Sequence, residues 1–242
     1  MAAGTGGRAG NGAKRTVRPY RKRKPLPALI FIGVLGITAI VVWVNVITTS
    51  GDIAEAVSCD PRPTPPEGTT LTPLPYDALV TTPPVPPSEV EVTVLNANNT
   101  RGDASITTEA LRRLGFTRIT EPANDEVYTG KIVASCHGQI RFGPAGERAA
   151  RTVHLVNPCL ELVKDNREDA SVDLAIGTNF PDVNPSEAAV EILDTLKSWS
   201  DEGAETDEQS AGSSTGSSKG SAKDSGPVID EALLAKTLPE HC

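Results

Sequence analysis

From Ala28 to Ile47 the chain carries only two polar side chains, Thr38 and Asn45. Twenty helical residues rise about 30 Å, the thickness of a bilayer's hydrocarbon core. This run therefore predicts a retained transmembrane helix, 28–47, that divides the chain in two. A cleavable signal peptide would have a shorter apolar region, closely followed by a small-residue cleavage site. Charge sets the orientation. The first 24 residues hold eight Lys or Arg and no acid, which leaves 15 basic against 31 acidic residues beyond them, a net of −16. Basic flanks stay in the cytoplasm, so 1–27 reads as a cytoplasmic tail. The rest becomes the extracytoplasmic part of a single-pass cell-membrane protein. Its negative charge excludes broad binding of polyanions, nucleic acid included.

The cysteines agree with export. Cys59, Cys136, Cys159 and Cys242 all follow the apolar run, and an even number in an exported domain favours disulfides. No C-x-x-C spacing occurs, and His137, His154 and His241 form no ligand cluster, so neither a metal nor another cofactor is expected.

Composition then marks the domains. Ten prolines between Pro61 and Pro87 make 48–88 a Pro-rich stalk, extended and partly polyproline II. Within it Leu71–Tyr76 either lies against the domain or belongs to a free linker. Alternation of Val90, Val92 and Val94 predicts a strand ending at Asn96. A helix follows, with Asp103 as N-cap, Ile106, Ala110 and Leu114 on its core face, and Gly115 as its stop. Phe116–Glu121 reads as a second strand and Lys131–Phe142 as a long third. A helix from Ala145 to Pro158 buries Ala145, Ala149, Val153 and Val156. Leu160–Val163 reads as a short edge strand and Val172–Gly177 as the closing one. Asn184 as cap, Pro185 and Glu187 open a last helix that buries Ala189, Ile192, Leu193 and Leu196.

The expected architecture of 89–199 is thus α+β: a two-layer split βαβ (β-α-β-β-α-β) sandwich plus a C-terminal helix. Residues 200–226 contain no aromatic residue and no Val, Ile, Leu or Met, so they predict a disordered linker. The short amphipathic segment 227–242 ends at Cys242, which tethers it. If the third strand climbs from Cys136 and the next helix descends to Cys159, those two cysteines meet, leaving Cys59 to Cys242.

Val92-Thr-Val-Leu95-Asn96, the loop with Gly102, then Ala110-Leu111 and Gly115-Phe116, resemble the opening of the LytR C-terminal domain family. Ile140-Arg-Phe142-Gly-Pro-Ala145, Ala149-Ala150 and Val172-Asp-Leu-Ala-Ile-Gly177-Thr-Asn-Phe180 are similar to its second half. The resemblance covers about 88–181 and implies a role in cell-envelope integrity and barrier function. In that family the domain often follows a phosphotransferase domain that attaches glycopolymers to peptidoglycan. Beside the α/β region and its linkers, no such domain is expected in this sequence.

Amide side chains beside an arginine suit hydroxyl-rich or carboxylated ligands, and binding residues gather on loops. The candidate ligand-binding residues are therefore Asn96, Asn98, Asn99 and Arg101, with Arg141 at a strand end and Arg148 in a first helical turn. His154 reads as a helix-surface residue. Cys136 and His137, as neighbours on a strand, point to opposite faces and make no dyad. The expected function is a non-enzymatic, membrane-anchored module that binds a cell-wall glycan or an envelope protein. The rivals are a small glycopolymer transferase or hydrolase, for which no Ser-His-Asp set or paired-carboxylate signature is present, and a purely structural assembly partner.

Overall fold

The computed structural model describes residues 26–62, 64–210, 227, 229–239, 241 and 242, with side chains at 30–44, 53–62, 64–200 and those C-terminal positions. It falls into two units, 1–47 and 48–242. The basic tail up to residue 25 and the linker at 211–226 lie outside the described residues.

Helix α1 (Leu26–Val57) contains the whole apolar run. Its described large side chains, Ile30 to Val44, are exposed, Trp43 to 67%. Among the described residues no helix is long and apolar enough to cross a membrane.

The second unit is built on one mixed sheet. Its strands are β1 (Thr72–Pro73), β2 (Glu91–Asn96), β3 (Arg118–Ile119), β4 (Ala123–Asn124), β5 (Gly138–Phe142), β6 (Glu161–Lys164) and β7 (Val172–Ile176). They lie in the order β1-β6-β5-β7-β2-β3, with β4 also on β2. Helix α2 (Asp103–Arg113) joins β2 to β3, and helix α3 (Glu147–Val156) joins β5 to β6; both strand pairs are parallel. Strand β7 lies between these two βαβ units, parallel to β2 and antiparallel to β5. The α+β class holds, but the split arrangement does not: in each βαβ unit the two strands are direct neighbours. The edge strand expected at Leu160–Val163 is β6, one residue later, which instead completes the second βαβ unit and is covered in turn by β1.

Helices cover one face. Val90, Val92 and Val94 alternate inward with Ile140, Phe142, Leu162, Val172, Leu174 and Ile176 beneath α2, α3 and α4 (Glu187–Ser210). Ala189, Ile192, Leu193 and Leu196 of α4 are buried as their spacing predicts. The helix starts two residues later than expected, because Ser186 Oγ rather than Asn184 accepts from Ala189 N. It also continues to Ser210, past the expected end near 199. On α3 the core face is Ala149, Ala150, Val153 and Val156; Ala145 falls in the preceding 3-10 turn and is exposed. On α2 the buried face is Ala104, Thr107, Thr108 and Leu111, and Ile106 is 65% exposed. The two threonines turn the helix by packing at i+3 and i+4 from Ala104.

The Pro-rich segment is a strap on the domain rather than a stalk. Leu74 N donates to Leu162 O at 2.8 Å, Val85 exchanges hydrogen bonds with Thr152 Oγ1, and Leu79 is 3% exposed in the core. Proline suits such an outer strand, since it can lack the outward-facing donor.

The disulfides pair Cys59 with Cys136 and Cys159 with Cys242, which corrects the expected connectivity. The long third strand does not exist as such, because β5 begins only at Gly138. Residues 134–137 leave the ladder and are held by the turn after β7, through Gly177 N to His137 O and Asn179 N to Cys136 O. A Cβ at Gly177 would lie 2.3 Å from Cys136 O, so this approach needs glycine. Cys136 consequently enters a small cluster with Cys59, Ala97, Tyr128, Ala134 and Ala175 on the face opposite the helices. Cys159, just past α3, meets the C-terminal segment on the helix side. There α5 (Glu231–Ala235) starts at Asp230, whose side chain accepts from Ala232 N, and Leu233 and Leu234 pack on the main core.

His154 is fully buried on α3, not on its surface. Its Nε2 lies 3.2 Å from Pro158 O. A carbonyl only accepts, so Nε2 carries the proton and Nδ1 presents a lone pair to Arg151. Burial, then the Arg151 charge, push the His154 pKa down to about 4 against the bond to Pro158. The unfolded chain takes up this proton as pH falls through about 6.5, whereas the folded chain waits until about 4. The contribution is therefore complete above 6.5 and lost as pH falls to 4. The unfolding free energies of the parent and a His154→Gln variant should converge by ~3 kcal/mol between pH 7 and pH 4. Chemical denaturation at each pH checks this, and a pH-independent difference would contradict it.

Candidate functional site

Where β2 ends, the chain turns sharply before α2. Asn99 at φ 62° and Gly102 at φ 97° make that turn, and Asn tolerates the left-handed region better than most residues. The amides of the loop hold it in shape. Asn96 Nδ2 donates to Thr100 O at 2.7 Å and its Oδ1 accepts from Asn98 N; Asn98 Oδ1 accepts from Thr100 N at 2.7 Å. Asn98 Nδ2 donates to Asp103 Oδ2 and to Gly177 O, tying the loop to the turn after β7. Asp103 is the first helical residue and receives that bond instead of capping; Gly102 occupies the cap position.

Beside this loop opens a cleft of about 550 Å³, lined among others by Asn96, Asn99, Arg101, Asn124, Asp125 and Tyr128. It lies beyond the carboxyl ends of the parallel strands β2 and β4, the position where open sheets with parallel strands leave a crevice. Of the candidate residues, Asn99 and Arg101 bring free polar groups to it. Asn99 Nδ2 donates to Gly130 O at 2.8 Å, fixing the side chain while its Oδ1 stays unengaged. Arg101 is exposed and has neither hydrogen bond nor ion pair among the described residues. Asn96 lines the cleft but spends both ends of its amide on the loop, and Asn98 serves the loop from outside.

The other two arginines lie elsewhere. Arg148, half-buried on α3, donates to Pro83 O of the strap. Arg141 is buried and does not line the cleft; its Nη1 is 2.8 Å from Asp125 Oδ2, an ion pair without hydrogen-bond alignment. Its Nε and Nη2 donate to Gln139 Oε1, and its guanidinium stands 5.8 Å from the Tyr128 ring centroid. Gln139 passes the network on to Glu161, which Arg62 of the strap meets at 3.0 Å. Burial raises the Glu161 pKa, opposed by its bond from Gln139 and by Arg62. Burial likewise pushes Tyr128 up to about 12, with Glu161 adding to it, so its hydroxyl is neutral.

Asn124, Asp125 and Tyr128 also line the cleft and are not among the sequence-derived candidates. Asp125 Oδ1 accepts from Val127 N and Tyr128 N, at 2.6 and 2.8 Å, and so shapes the cleft wall while its other oxygen faces Arg141. The signal available was an acid directly after a strand-end asparagine. Among the described residues no group of three or more His, Cys, Asp or Glu could hold a metal ion.

Comparison with known proteins gives this domain a lineage. A family model described as LytR cell envelope-related transcriptional attenuator matches residues 89–180, which contain the cleft. The cell envelope integrity protein Cei of Mycobacterium tuberculosis is 41% identical over 167 residues, 67% of this chain and 76% of that protein. The solved soluble domain of a conserved hypothetical secreted protein from Mycobacterium marinum superposes with a TM-score of 0.53 at 34% identity. That match covers 69% of this chain and 94% of the solved one. With a cell-envelope relative covered over three quarters of its length and a family model matched across the sheet, the chain belongs to the LytR C-terminal domain family of envelope-associated proteins.

Proposed function

We propose that this chain is a membrane-tethered, non-catalytic envelope protein that binds a hydroxyl-rich, carboxylate-bearing wall glycan in the cleft beside Arg101. The observation that carries the reading is the pairing of an uncommitted cation, Arg101, with the free amide oxygen of Asn99 over a polar crevice. A guanidinium takes a carboxylate in two parallel bonds, and amide groups match sugar hydroxyls. The fixed hydrogen bonds of the Asn96–Thr100 loop hold these groups before a ligand arrives, which lowers the ordering cost of binding. The name of the Mycobacterium tuberculosis relative, a cell envelope integrity protein, agrees with such a role.

Catalysis is not part of the reading. The buried acid at the cleft, Asp125, is committed to Arg141 and to two backbone amides, so it is not free to act there as a general base. The tether is the apolar run 28–47, helical throughout, behind eight basic residues.

In titrations of the full-length chain with solubilised wall fragments, Arg101→Ala should weaken binding about tenfold or more, the loss of one charge-assisted contact. Unchanged affinity in a folded variant would remove the cleft from the account. A reporter fused after residue 100 should be active only outside the cytoplasm, and cytoplasmic activity would overturn the tether.

A further inference from the structure

Among the described residues two arginines are buried, Arg141 and Arg151. Arg141 meets Asp125, and the half-buried Arg167 meets Asp165 and Asp173. Arg151, 1% exposed, has only neutral partners. Its Nη2 donates to Thr237 Oγ1 at 3.2 Å, its Nη1 lies 3.5 Å from His154 Nδ1, and its Nε has no acceptor among the described residues. Burial alone lowers its pKa, to about 10, with no carboxylate contributing. A buried cation without a counter-charge is unfavourable, and a site built only for stability would place an acid or an apolar residue here.

What covers Arg151 is the C-terminal segment. Thr237 is 3% exposed against it, while Ile229, Leu233 and Leu234 are only partly buried on the core. The segment lies outside the matched family domain, and its last residue is bonded to Cys159. Cys242 is exposed and Cys159 half-buried, whereas Cys59 and Cys136 are 0% and 2% exposed. A reductant can therefore reach one disulfide and not the other.

We propose that the C-terminal segment at 229–239, locked by Cys242, is a cover over a second binding site, in which Arg151 takes an oxyanion, a phosphoryl or carboxylate group, once the Cys159–Cys242 bond is reduced. The reductant is a dithiol. One of its thiolates attacks Cys242 Sγ, the protein S–S bond breaks, and Cys159 leaves as a thiolate that takes up a proton. The second thiol then displaces Cys242 as its thiol, so two electrons pass to the protein and the reductant departs as a disulfide. A five-residue α5 is too short to persist by itself, and its partly buried leucines give the freed segment a weak hold. Departure of Thr237 removes the hydroxyl acceptor from Arg151 and opens its fork to two ligand oxygens, with neutral His154 alongside. The site shares no residue with the Arg101 cleft and does not rest on the function proposed for it.

The test uses the full-length chain in detergent. Titration calorimetry with inorganic phosphate, and separately with acetate, compares the oxidised parent, Cys242→Ser, and Cys242→Ser with Arg151→Gln. Cys242→Ser should bind one of the two anions at least about tenfold more tightly than the parent, and Arg151→Gln should abolish the gain. Which anion binds distinguishes the phosphoryl from the carboxylate source. Arg101→Ala should leave the gain intact. A chain ending at Gly226 is a second open form should Cys242→Ser misfold. Hydrogen exchange across 229–238 should rise in the parent on treatment with dithiothreitol. No gain in either open form, an equal gain with Arg151→Gln, or unchanged exchange after reduction would each overturn the proposal.

Discussion

The Arg141–Asp125 ion pair is where the sheet's second face becomes protein interior. Three helices cover only one face, and the other carries Gln139, Arg141 and Glu161, residues that would ordinarily seek water. Each is buried here, which is tolerable only because the charges are matched and their remaining donors and acceptors engaged. The network runs from Asp125 through Arg141 and Gln139 to Glu161 and out to Arg62 of the strap. One end fixes the cleft wall and the other fixes the strap.

That arrangement explains why the Pro-rich segment is ordered. A proline-rich chain has little to bury and few donors, and alone it would remain extended in water. Here β1 pairs with β6, Cys59 is bonded into the second-face cluster, and Leu79 reaches the helix-side core. The strap makes these contacts only because the sheet offers it a half-finished face. Cover from outside the family domain recurs at the C-terminus, where the segment after 226 lies over Arg151.

Much of the helix-side layer was legible in the sequence, because Val90, Val92 and Val94 alternate cleanly and α4 spaces its apolar residues by three and four. The misreadings share a cause: local hydropathy was followed where tertiary partners decide. On α2 the most apolar residue, Ile106, faces out, while Thr107, Thr108 and Leu111 form the buried face. The strand expected from Lys131 shortens to Gly138, because the turn after β7 captures 134–137. That capture moves Cys136 to the second face, so its level in the sheet matched Cys159 while its direction did not. At the site, the loop's asparagines were visible as polar turn formers, but only the fold separates Asn96 and Asn98, which hold the loop, from Asn99 and Arg101, which face the cleft. The partnership of Asp125 with Arg141 spans two elements and left no mark on either one alone.

A double-mutant cycle on that pair tests the central claim most directly, with urea unfolding of the full-length chain carrying Asp125→Leu, Arg141→Met and both together. The account predicts that each single change costs about 3–5 kcal/mol by stranding a buried charge, and that the double variant costs far less than their sum. Costs that simply add, to within about 0.5 kcal/mol, would show that the two residues act separately and that the second face is held by something else.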